Sequence, residues 1–168
     1  MRYKIQHLFN TDEATFWDKI FFDPEYNEAL FAKHLGFNPY RVLEHVTQPD
    51  GTILRRVECA PPIEIPAIAK KVLGDSAAYV EEGRFDPKTR RFSVKVIPRM
   101  AADKLKSTAL MWLEPRGDKK VERFVEIENE VKVFGVGKVL EAFIEKQTRE
   151  VYDEASAFTN DWIAKKGF

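Results

Sequence analysis

Apolar and polar residues alternate from the outset: Tyr3, Ile5, His7 and Phe9 are interleaved with Arg2, Lys4 and Gln6, the two-residue period of a half-buried strand. Two short helices are predicted next. Asn10 offers an N-cap with Glu13 three residues on, ahead of Trp17, Ile20 and Phe21. Asp23-Pro24-Glu25 then supplies the cap, first-turn proline and first-turn acid of a second helix, which Gly36 ends. Strand patterns return at Tyr40–Thr47 and Thr52–Cys59, on either side of the turn QPDG. After the proline-rich APPIEIP and a short helix in IAKKVLG come strands at Ala77–Phe85, Arg91–Ile97, Lys106–Glu114 and Val121–Phe134. From Lys138 to Lys165 there is no Pro or Gly. Leu140, Phe143, Ile144, Val151, Ala155, Phe158 and Trp162 fall there on one stripe, predicting a helix ~40 Å long. The expected fold class is α+β: about six to seven antiparallel strands with one long C-terminal helix, residues 1–168 forming one domain.

Composition narrows the function. Lys plus Arg and Asp plus Glu number 27 each, so no net field attracts nucleic acid or an anionic membrane. No apolar run approaches the ~18 residues that span a bilayer, and a cytoplasmic protein without stable membrane insertion is expected. Cys59 is the single cysteine, which excludes an internal disulfide. His7, His34 and His45 lack metal-binding spacing, and there is no GxSxG elbow. Glu44 and Glu82 each align with apolar neighbours on one strand face, making either a candidate buried acid. The stretch FGVGK invites a nucleotide reading. A phosphate loop, however, needs Ser or Thr after the lysine, where Val139 stands, and the third glycine of a dinucleotide fingerprint is replaced by Leu140. FGVG is therefore read as the joint between strand and helix, and no cofactor is expected.

The order of elements, together with RYKIQHLFN, FWDKIFFDPEYNEALF, PAIAKKVLG and TREVYDEASAFTNDWI, resembles the helix-grip fold of the START-like (SRPBCC) superfamily, most closely a bacterial branch of it. The resemblance implies a curved sheet wrapped on the long helix, with a cavity between them for an apolar or amphipathic small molecule. On the last strand Val121, Arg123, Val125, Ile127, Asn129, Val131 and Val133 share the face toward that helix. The expected cavity lining is Phe92, Val94, Val96, Met111, Arg123, Val125, Ile127, Asn129, Phe143, Gln147 and Val151. Three of these are polar, and burying such a group unpaired costs ~1–3 kcal/mol. Either a ligand or water meets them, or Arg123 reaches solvent, Asn129 sits at a bulge and Gln147 bonds the backbone.

Three functions stay open at this level. The first is binding, transfer or sensing of a lipid-like or polycyclic molecule. The second is a polyketide cyclase- or hydratase-type enzyme using the same cavity. The third is an interaction module docking through its sheet. No catalytic constellation is present in the sequence, and nothing in it speaks to oligomeric state.

Overall fold

The computed structural model describes residues 1–168, the side chain of Leu73 excepted. Strand β1 (Arg2–Phe9) leads into α1 (Glu13–Thr15, continuing as a π-helical stretch Phe16–Phe21) and α2 (Pro24–Asn27, continuing likewise as Glu28–His34). Then follow β2 (Tyr40–Thr47), β3 (Ile53–Cys59), α3 (Ala67–Leu73), β4 (Tyr79–Asp86), β5 (Arg91–Pro98), β6 (Leu105–Pro115), β7 (Val121–Val131) and α4 (Gly137–Lys166). The strands form one antiparallel sheet in the order β1-β7-β6-β5-β4-β3-β2, curled around the long helix in the helix-grip arrangement. Among the described residues, no helix is long and apolar enough to cross a membrane.

Local chemistry explains the boundaries, with some corrections. Asp12, not Asn10, caps α1: its carboxylate accepts from Thr15 N at 2.8 Å and Thr15 Oγ1 at 2.7 Å. Asp23 caps α2 through Tyr26 N at 2.8 Å, with Pro24 in the first turn. The second helix widens to a five-residue step, seen where Leu35 N donates to Leu30 O at 2.8 Å. The last strand stops at Val131, short of the expected Phe134, whose side chain is wholly exposed. The joint needs its glycines. Gly135 has φ +77°, and a Cβ on Gly137 would stand 2.6 Å from the Val131 carbonyl oxygen.

The core lies between the sheet, α4 and the two π-helical stretches. Phe9, Trp17, Ile20, Val121, Val125 and Leu140 are among its fully buried side chains. On α4 the buried set is Leu140, Ala155, Ser156, Thr159, Trp162 and Ile163. Phe143, Val151 and Phe158 of the expected stripe are only half-buried. Thr159 is tolerated inside because its hydroxyl reaches Ala155 O at 2.6 Å and Tyr26 Oη at 2.7 Å.

Candidate functional site

The inner faces of β3 to β7, the first half of α4 and the π-helical stretches enclose a cavity of about 290 Å³. Phe92, Val94 and Val96 enter it from β5, Met111 from β6, Arg123, Val125 and Ile127 from β7, and Phe143, Gln147 and Val151 from α4. Alternation places them: Phe92 lies opposite Met111, and Met111 opposite Val125, so one parity on three strands faces inward. Trp112 points the other way and stacks on Phe124 at 5.4 Å. Phe143 and Val151, both half-buried, stand in this lining.

Of the predicted lining, Asn129 alone stands outside. It is wholly buried in regular register with Ser107, at no bulge, and its Nδ2 donates to Tyr3 Oη at 3.3 Å. Gln147 does line the cavity but bonds the Glu150 carboxylate at 2.9 Å rather than a backbone group. Arg123 does not reach solvent. It is 6% exposed, and its Nη2 donates to His7 Nδ1 at 3.0 Å. Because the guanidinium can only donate, His7 Nδ1 accepts. The neutral ring then carries its proton on Nε2, which donates to Asp153 on α4 at 2.8 Å. Burial holds the His7 pKa below its ordinary value, in keeping with that neutral ring.

A second polar group in the lining is absent from the sequence reading. Arg55 of β3 donates from Nη2 to Asn27 Oδ1 at 3.1 Å and to Tyr40 Oη at 2.6 Å. Beside it on β4 stands Glu81, facing inward with Tyr79 and Phe85. Glu81 is half-buried in this lining, and burial raises its carboxyl pKa, with Arg55 opposing. Glu44 and Glu82, the expected candidates, are elsewhere: Glu44 is exposed, and Glu82 pairs with Arg56 at 3.4 Å on the outer face. Burial also pushes the phenols of Tyr40 and Tyr152 up to about 12, so both keep their protons at neutral pH. Cys59 is buried, and its thiol is pushed up as well, which makes it an inert wall rather than a nucleophile. Among the described residues no three His, Cys, Asp or Glu side chains converge on a metal position. The arrangement can hold a largely apolar body and offer charged and phenolic groups to a few polar atoms.

A curled antiparallel sheet gripping one long helix around such a cavity defines a protein with the START-like, helix-grip fold. Within that class the chain belongs to the family described as "Protein of unknown function (DUF2505)", whose model matches residues 5–163. No curated protein matches it in sequence. Solved structures share its fold at low identity. The Zhui aromatase/cyclase from Streptomyces sp. R1128 has a TM-score of 0.65 at 10% identity, covering 95% of this chain and 93% of that one. A START superfamily protein from Mycobacterium smegmatis has 0.60 at 13%, covering 96% and 98%. Norcoclaurine synthase from Thalictrum flavum, in complex with dopamine and hydroxybenzaldehyde, has 0.63 at 17%, covering 96% and 88%.

Proposed function

We propose that this protein binds a hydrophobic small molecule, lipid-like or polycyclic, in the cavity between sheet and α4. The observation that carries the reading is the void itself. Protein interiors are close-packed, with few gaps larger than a water molecule. A space of about 290 Å³ bounded by Val94, Ala109, Ile127 and Phe143 is therefore a site rather than a packing defect. Its size is near the lower end of the ~300–1,000 Å³ typical of small-molecule pockets, which fits a short acyl chain or a few fused rings. The aromatic ligands in norcoclaurine synthase and the name of the aromatase/cyclase belong to those proteins, and they support the chemical class assigned here.

Binding is preferred to catalysis. Glu81 could act as an acid, yet no base stands in hydrogen-bond contact with it among the described residues. The docking-module reading loses its motive, because it presupposes a filled interior. The test is titration with N-phenyl-1-naphthylamine, a neutral fluorescent probe. It should bind with one-to-one stoichiometry, and Ala109→Phe, which fills the space from β6, should abolish binding while circular dichroism stays unchanged. Undiminished probe affinity in a folded Ala109→Phe protein would sink the proposal.

A further inference from the structure

Two arginines line the cavity: Arg55 has the Glu81 carboxyl beside it, whereas Arg123 has no acid in contact among the described residues. The guanidinium of Arg123 lies between the rings of Phe9 and Tyr152, 4.9 Å from each centroid. Its one hydrogen bond among the described residues goes to neutral His7, and its Nε is buried without a partner. The Asp153 carboxylate lies beyond the imidazole, 73% exposed, where water screens it. Arg55, 7% exposed, is met by an amide and a phenol, both neutral. Elsewhere the chain pairs its cations readily: Arg2 with Glu128, Arg116 with Glu114 and Glu122, Arg149 with Glu145. The counter-charge that Arg123 lacks belongs to the cavity.

A buried charge is costly unless it is paired. Two ring faces recover part of that cost for Arg123, but leave its remaining N–H donors free. A planar guanidinium fork matches a carboxylate in geometry, and one positive charge matches one negative charge.

We propose that the ligand carries a carboxylate that binds Arg123, with its apolar body lying among Val94, Ala109, Ile127 and Phe143. This rests on the reading of the cavity as a hydrophobic-ligand site and adds the chemistry of the head group. Arg55, already holding two partners, serves the wall of the site rather than the head.

The experiment displaces bound N-phenyl-1-naphthylamine with three molecules sharing one chain: decanoate, decanol and decyl phosphate, at pH 7.5. Decanoate should compete about tenfold or more better than decanol, as one charge-assisted hydrogen bond provides. Arg123→Met should bring decanoate down to the level of decanol and leave decanol unchanged. Arg123→Lys, which keeps the charge but not the fork, should retain part of the preference and covers the case in which the methionine variant fails to fold. Arg55→Met should keep the preference. Equal competition by decanoate and decanol in the unaltered protein would overturn the proposal while leaving the apolar site standing. So would a preference that vanishes with Arg55→Met but survives Arg123→Met, or decyl phosphate outcompeting decanoate. If none of the three displaces the probe, the cavity reading fails and this one with it.

Discussion

Gly83 of β4 faces the sheet interior directly beneath the ring of Phe92 on β5. A Cβ at that position would lie 2.2 Å from Phe92 Cζ and 2.8 Å from Cε2. Carbon atoms settle at ~3.5–4.0 Å, so Gly83→Ala forces the ring to retreat by more than about 1 Å. Phe21 holds it edge-on at 5.0 Å and Phe22 at 5.9 Å, which leaves the cavity as the open direction. Replacing glycine by alanine in a strand ordinarily gains ~0.5–1 kcal/mol from the unfolded chain. Here we expect a net loss of ~1–3 kcal/mol from overpacking, lowering Tm by about 2–4 °C for each kcal/mol in a chain of this size. The displaced ring also takes volume from the site, so the neutral probe should bind more weakly. Urea unfolding with linear extrapolation measures the first effect and probe titration the second. In a Phe92→Leu background the ring is gone, and Gly83→Ala should lose at least half of its cost, a coupling that a double-mutant cycle reads directly. A neutral or stabilising Gly83→Ala, or strict additivity with Phe92→Leu, would refute the reasoning.

Leu140→Ala should cost ~2–5 kcal/mol, since Leu140 is wholly buried. Phe143→Ala removes more atoms but from the cavity wall, so denaturant unfolding should rank it below Leu140→Ala; the opposite order would mean that Phe143 is conventionally packed. Burial raises the Glu81 pKa above its ordinary 4.5, so above that pH the folded chain holds a proton that the unfolded chain releases. Stability then falls as pH rises from about 4.5 through the folded-state value. Glu81→Gln should flatten that fall and be the more stable protein at neutral pH, whereas an unchanged Tm-against-pH curve would mean that the carboxyl is hydrated. Millimolar ATP or NAD should leave Tm unmoved, because ligand at a hundred times its Kd adds ~2.7 kcal/mol; a dose-dependent rise abolished by Lys138→Ala would restore a nucleotide role to the joint.

Much of this architecture was legible because β7 alternates cleanly and α4 lacks breakers. Arg123 on the inner face follows from its place between Val121 and Val125, one parity of one strand. Glu81 was missed because Val80 and Glu82 alternate as acceptably as Tyr79 and Glu81. What decides the parity is Phe92 covering Gly83, a contact made by a neighbouring strand. The glycine was the available signal, since a glycine inside a strand often marks a close approach. His7 and Asp153 belong to β1 and α4, and Arg55 meets Asn27 across separate elements, so no spacing within either segment could announce them. Asn10 reads as the cap of the first helix, but the structure puts the cap at Asp12. The choice follows from where the first helical bond closes, Phe16 N to Asp12 O at 3.0 Å.

The pairing of β1 with β7 sets a timetable for synthesis. Arg2 meets Glu128 and Phe9 meets Val121, so β1 leaves the ribosome long before its partner exists. At ~5–20 residues per second the wait is roughly 6–24 s. Through that interval Tyr3 and Ile5 lack the strand beside them, while Phe9 has only Phe16 of the neighbouring helical stretch, 5.0 Å away, to pack on. The helix that closes over them, α4, follows β7 and is made later still. A message truncated anywhere within α4 should therefore yield insoluble fragments rather than a weakened binder, and soluble yield should respond more to translation rate and chaperone supply than to the stability of the finished fold.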